Sequence, residues 1–537
     1  MKRFLSILLS VLLLTALLSA CSDTSSPSNT PNQPNNNTSS TNSGDSGQSG
    51  GDGNDPENTD SNYGKIDMDE APYTLNVCFP AVGSVPQDLP LIQEKLNEIT
   101  MREINVKVEL EAVALFSMAN IYSLKASSRE KMDLICMMPG ANHMVNFANS
   151  NLIQPVDSYL AEWGSELIEV TKKYLPTGQL RGLQYAIPAN GRYRSMATGF
   201  GFSVPLADKH GINIDSIKTI ADIEAAFEVI KTNEPDMKVI VAPETAGGGV
   251  IYSLYPKVDS AGINGVEVYT DTDGSIKVRL SAEQPEYMEA AKTIRRWFEK
   301  GYIPKDVTIM LDGATALIEN GAAFATSVAS IGPAGRSINN GVEIRHMMLD
   351  NANLMTTTAD CQLILWGIPT TAERPDKSMQ FLNLAAGSEE ISNLFVFGIE
   401  GKHYEFADNG GVNRISGGGW EYYWMVLGDS FKLHMFDSDI AVAGGSLPNL
   451  VAMEAAWEAD TKESPAFGFV FDPESVATEI ASTNAVGQEY TTAIGNGAVD
   501  PETEIPKMVQ RVYDAGMQKI LDEMQRQLDE WLARKNG

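Results

Sequence analysis

Residues 73–113 read YTLNVCFPAVGSVPQDLPLIQEKLNEITMREINVKVELEAV, and this stretch decides the fold. Tyr73 to Phe79 alternates apolar and polar side chains, the two-residue period of a strand. Leu89 to Ile104 has helical spacing, and Val106 to Val113 alternates again. Further out, Lys131 to Met137 reads as a short strand and Ala141 to Asn149 as a helix. Strand and helix taking turns through short connections predict an α/β layer, an open and largely parallel sheet covered by helices. Ligands of such sheets sit beyond the carboxyl ends of the strands. Those ends are Phe79-Pro80-Ala81-Val82 and Met138-Pro139-Gly140, which makes Phe79 and Met138 candidate ligand contacts.

The chain of 537 residues is too long for one hydrophobic core. Periodic blocks continue from about 215 to 345 and from 373 to 400. Asp500-Pro501-Glu502 has the form of a capped helix start, and Met508, Val512, Ile520, Met524, Leu528 and Trp531 include an apolar stripe that should dock on the body. The net charge is −30, which would repel phosphate backbones, so no nucleic-acid partner is expected. Four cysteines, at 21, 78, 136 and 361, neither pair at C-x-x-C spacing nor cluster with histidines, so no disulfide frame, metal site or cofactor is implied.

The first twenty residues read as an export signal. Lys2 and Arg3 precede an apolar run from Phe4 to Leu18, too short to span a bilayer. Leu18-Ser19-Ala20-Cys21 resembles the lipobox of bacterial lipoproteins, which implies a diacylglyceryl group on Cys21. Residues 22 to 72 are mostly Ser, Thr, Asn, Gly, Pro and Asp, unable to offset chain entropy by burial, and predict a tether with a reach of roughly 40 Å. The tether carries nine acids and one lysine, leaving a body from 73 to 537 with a net charge of −24.

Three motifs within the body carry a family resemblance. Gly182-Leu183-Gln184-Tyr185-Ala186-Ile187-Pro188 is similar to the G-K-x-Y-A-I-P segment of extracellular solute-binding proteins, the lipid-anchored receptors of ATP-driven importers. Leu206-Ala207-Asp208-Lys209-His210-Gly211, followed by Ile217-Lys218-Thr219-Ile220-Ala221-Asp222, resembles the L-A-D-K-Y-G and I-K-T-x-x-D of the carbohydrate family, with His210 replacing Tyr. Gly398-Ile399-Glu400-Gly401-Lys402-His403-Tyr404 and Phe471-Asp472-Pro473-Glu474 are similar to motifs of a lipoprotein subgroup with a distinctive C-terminal region. The resemblance implies a two-lobe, periplasmic-binding-protein-like (type II) fold over 73–470 and a mainly helical region over 471–537. It further implies a cleft that closes on a sugar or oligosaccharide, a hinge crossed after Pro188 and along Leu363 to Pro369, and ABC permease subunits as partners. A monomer held to the outer face of a bacterial membrane only by its lipid is the expected form.

Sugar clefts need flat aromatic faces and fixed polar groups. Gly417-Gly418-Gly419-Trp420-Glu421-Tyr422-Tyr423-Trp424 supplies the densest aromatic cluster, so Trp420, Tyr423 and Trp424 are expected at the ligand. Trp366 in the presumed hinge strand, Arg192 and Tyr193 after the first crossing, Glu244 and Asp360 complete the candidates. Core packing is the alternative for each aromatic, and surface charge for Arg192. Asp271-Thr272-Asp273-Gly274 is not a calcium loop, because Gly falls at the fourth position and no Glu follows at the twelfth; alternation on both sides reads as a hairpin. A glycoside hydrolase, or a receptor for peptides or another polar solute, is the competing function. No catalytic motif favours the former.

Overall fold

The computed structural model describes residues 65–536 except 82–84, 141–142, 190–196, 243–248, 310–312, 334, 340, 351, 407–411, 416, 418, 421–440, 443–444 and 447–449. The export signal, Cys21 and nearly all of the tether lie outside the described residues, as do Arg192, Tyr193, Glu244, Tyr423 and Trp424.

The chain opens with β1 (Tyr73–Ala81), α1 (Leu89–Ile104) and β2 (Val106–Ala114). In α1, Leu89, Ile92, Leu96 and Ile99 form one buried face against the sheet, and Asn105 in the left-handed region (φ 53°) ends the helix. Next come α2 (Met118–Ser127), β3 (Leu134–Met137), α3 (Met144–Asn149) and β4 (Ile187–Pro188). The chain then builds a second unit with β5 (Ala197–Ser203), α4 (Ile220–Asn233), β6 (Lys238–Val241), the hairpin β7 (Val266–Thr270) and β8 (Ile276–Leu280), α5 (Pro285–Glu299), β9 (Ala323–Ile331), β10 (Arg336–Asn339) and β11 (Val342–Met347). A short β12 (Met355–Thr356) and α6 (Thr358–Cys361) lead back to β13 (Leu365–Gly367), α7 (Pro375–Gly387) and α8 (Glu389–Phe397). Finally β14 (Lys462–Glu463) precedes α9 (Ala477–Gly495), α10 (Pro501–Asp514) and α11 (Met517–Asn536).

The first sheet has the order β2-β1-β3-β13-β4. β1 is parallel to β2 and β3, whereas β13 runs antiparallel to β3 and β4. Central β1 is buried without a break from Val77 to Ala81, and edge strand β2 alternates buried and exposed over its first half, as a single covered face requires. The second sheet, β10-β11-β5-β9-β6, is mixed rather than largely parallel: only the β6–β9 pair is parallel. Each sheet packs its own hydrophobic clusters, one on either face. Helices α9, α10 and α11 add Ile494, Ile505, Met508, Val512, Ile520, Met524 and Leu528 to a cluster of the second sheet instead of building one of their own. The two units form the two lobes of the fold.

Candidate ligand cleft and hinge

Membership of the two largest clusters locates the chain crossings. Ala189 belongs to lobe 1 and Phe200 to lobe 2, Leu349 to lobe 2 and Ile364 to lobe 1, Trp420 to lobe 1 and Ala466 to lobe 2. Three crossings therefore lie between those pairs. The second and third run side by side, because β12 pairs in parallel with β14 through Met355 with Lys462 and Thr356 with Glu463. The Thr358 hydroxyl adds to this seam by accepting from Gly468 N at 2.9 Å.

Asp360 is committed to the seam. Its carboxylate accepts from Thr357 N at 2.8 Å in a capping box that starts α6, and it pairs with Lys257 of lobe 2 at 2.7 Å. Gln362 continues the brace, donating to Thr177 O at 2.8 Å and lying 3.0 Å from His143 Nε2. Burial holds the His143 imidazole below its ordinary pKa, so it sits there neutral at physiological pH. These groups brace the crossing.

Three aromatic candidates point into lobe 1. Phe79 is completely buried, because its position on central β1 directs it into the core beneath α1. Trp366 is also buried: Leu363 to Pro369 is not a hinge strand but contributes β13, interior to the sheet, with Ile364, Trp366 and Ile368 in one core cluster and Leu365 in another. Its continuous apolar run is what a strand covered on both faces requires. Trp420 is 3 % exposed and donates Nε1–H to Phe395 O at 3.1 Å, packing on α8 in place of lining a cleft. Of the candidates within the described residues, Met138 alone keeps a partly exposed position just past a strand's carboxyl end.

A clasp that sequence reasoning missed explains the placement of Trp420. His403 Nδ1 accepts from Ile399 N at 2.8 Å, which leaves the proton on Nε2 for Asp88 Oδ2 at 3.0 Å. Lys402 reaches the same carboxylate oxygen at 2.9 Å, and these two partners hold the Asp88 carboxyl below its usual range. Asp88 N donates to Gly419 O at 3.3 Å. Gly398 (φ 85°) admits the His403 ring, which a Cβ would meet at 2.5 Å, and Gly419 (φ 83°) similarly makes room for Asp88. The G-I-E-G-K-H-Y motif thus builds a turn. Its only sequence signal was the glycine spacing.

In lobe 2 the carboxyl end of β6 is followed, after residues 243–248, by a turn braced from the C-terminal region. Gly249 (φ 80°) lies against Asn496 at the end of α9, whose Oδ1 accepts from Val250 N at 3.4 Å. The F-D-P motif links the lobes: Asp472 binds Asn149 Nδ2 at 3.0 Å and Arg181 Nε at 2.8 Å, while its backbone exchanges two 2.9 Å bonds with Gln527 of α11. Beside it lies a groove of about 1010 Å³ between residues 173–182 and α11. Most of its charges are paired, Arg181 with Asp472, Arg526 with Glu523 and Lys173 with Glu463, and Lys535 covers the Trp531 ring at 4.6 Å. Among the described residues its lining comes from 173–182, from 463–475 and from α11, and includes none of the residues just past β1, β3 or β6.

Residues 465–533 match a family model described as a domain of unknown function (DUF3502). A carbohydrate ABC transporter substrate-binding protein of Streptococcus pneumoniae serotype 4 (strain ATCC BAA-334 / TIGR4) is 27 % identical over 474 residues, covering 84 % of this chain and 90 % of that protein. Among solved structures, the N-glycan transport solute binding protein (NgtS) of S. pneumoniae has a TM-score of 0.69 at 24 % identity, covering 86 % of this chain and 100 % of that one. The same protein in complex with Man5GlcNAc has a TM-score of 0.61 at 24 % identity over 86 % and 99 %. The chain therefore has a two-lobe fold like that of these solute-binding proteins, matches the DUF3502 model near its C-terminus, and is similar over most of its length to a carbohydrate ABC transporter substrate-binding protein.

Proposed function

We propose that this protein is the receptor of a carbohydrate importer, capturing an oligosaccharide between its lobes and offering the closed form to an ABC permease. The observation that carries the reading is the pair of separately cored lobes joined at a paired-strand seam, in a chain homologous over 84 % of its length to a carbohydrate transporter's binding protein. A ligand touching both lobes favours the closed arrangement by its extra contacts there. Ligand contacts in this reading come from Met138 and from Arg192, Tyr193, Glu244, Tyr423 and Trp424, in segments that follow strand ends or a crossing. The protein acts without catalysis, as a monomer on the extracytoplasmic face, anchored through Cys21. No helix among the described residues is long and apolar enough to cross a membrane, which fits an anchor at the N-terminus.

Melting the purified protein with panels of oligosaccharides and peptides tests this. A glycan present at about 100 times its Kd should stabilise the fold by about 2.7 kcal/mol without being cleaved. Glycan turnover would make it a hydrolase, and stabilisation by peptides alone would move it to another solute class.

A further inference from the structure

Phe116 is 100 % exposed, whereas the other exposed large apolar side chains among the described residues lie between 36 % and 68 %. It stands two residues beyond β2, whose last residue, Ala114, is in register with Ala81, the last of β1. The ring therefore projects at the carboxyl edge of the lobe 1 sheet, the edge where a ligand of this fold sits. The turn Leu115–Ser117 that bears it is anchored by α2, where Met118 and Tyr122 are completely buried and Tyr122 packs edge-on against Phe147 at 6.1 Å. A bare ring on an anchored turn forgoes the stabilisation that burying it would contribute. Ser117 and Asn120 beside it are exposed polar groups able to meet hydroxyls. Flat apolar face and neighbouring polar groups together suit a sugar ring.

Position adds a size requirement. β2 is the outer strand, and the first two crossings meet the sheet at β4 and β13 on its other side. Met138 follows β3, two strands from β2, or about 10 Å across the sheet. We propose that Phe116 is an outer subsite that stacks on the far end of an oligosaccharide whose near end lies by Met138, so that this receptor selects glycans longer than one ring can span. The inference rests on the carbohydrate reading above and specifies where along the cleft length is measured.

Calorimetric titration of the full chain and of its Phe116→Ala and Phe116→Trp variants tests it, with mannose and β-1,4-linked N-acetylglucosamine ladders from di- to hexasaccharide and with Man1GlcNAc and Man5GlcNAc. The wild-type protein should gain affinity with length along at least one series. Phe116→Ala should cut that gain roughly three- to tenfold, and Phe116→Trp should retain it. An unchanged length dependence in Phe116→Ala overturns the subsite while leaving the receptor reading intact. Unchanged sugar affinity with reduced uptake also overturns it, by assigning the ring to the permease. Failure of every glycan to bind the wild-type protein removes the carbohydrate reading and this inference with it.

Discussion

Glu267 shows how far one residue's environment departs from what its identity suggests. It lies on β7 at 8 % exposure, and its Oε2 accepts from the Tyr255 hydroxyl at 2.7 Å and from the Tyr269 hydroxyl. Burial nevertheless outweighs these two donors and pushes its carboxyl up to about 7. The unfolded chain releases this proton near the ordinary carboxylate value, so the folded state holds the extra proton between about 4.5 and 7. Stability from this group is therefore full below that interval and falls as pH rises through it. Glu267→Gln keeps the shape and removes the ionisation, and should raise stability by about 1–3 kcal/mol at pH 8 with much less effect at pH 5. Urea midpoints of both proteins at the two pH values check this, and an equal difference at both would remove Glu267 as the cause. Sequence could not reveal such a group among seventy acids. It misled at Trp420 for a related reason: an aromatic cluster names ring chemistry, while the direction of the ring is fixed by partners as remote as Phe395 O and the Asp88 clasp.

Elements were more legible, because their signals are local. The spacing over Leu89–Ile104 gave a helix with those bounds, the Asp-Gly turn gave the β7–β8 hairpin, and the Asp500 side chain accepts from Glu502 N at 3.2 Å with Pro501 opening α10. Less legible was which sheet a strand enters. Leu363 to Pro369 reads as apolar and extended, yet its pairing between β3 and β4 depends on residues more than 170 positions earlier. Strand direction in lobe 2 is likewise set by remote pairings, so period-two patterning there did not disclose a mixed sheet. The C-terminal stripe has the opposite character: Ile520, Met524 and Leu528 follow a four-residue spacing on α11 and are fully buried in the lobe 2 core. Leu528→Ala should cost about 2–5 kcal/mol, as a truncation inside a packed core does, not as a change on a detachable appendage. Thermal melts would read this, and an unaffected lobe 2 would mean that α11 is dispensable to it.

At the scale of the molecule, each lobe is packed on hydrophobic clusters of its own, and the ligand is what should couple the lobes. Lobe 1 is packed around residues such as Leu382, lobe 2 around residues such as Leu528, and the connections between them are short strands and polar braces: β12 with β14, Lys257 with Asp360, and Asp472 with Arg181 and Asn149. Such seams are small beside either core, so calorimetry of the free protein should resolve two transitions, assigned because Leu382→Ala lowers one and Leu528→Ala the other. A glycan bound across the cleft stabilises only the state in which both lobes are folded, since unfolding either lobe destroys half of its site. Saturating glycan should therefore raise both transitions and draw them together, and this should hold in each variant. A glycan that raised one transition and left the other in place would be bound to a single lobe. That result would exclude closure as the means of capture even if the affinity were high, which makes the shape of the melting curve, more than the affinity, the decisive measurement.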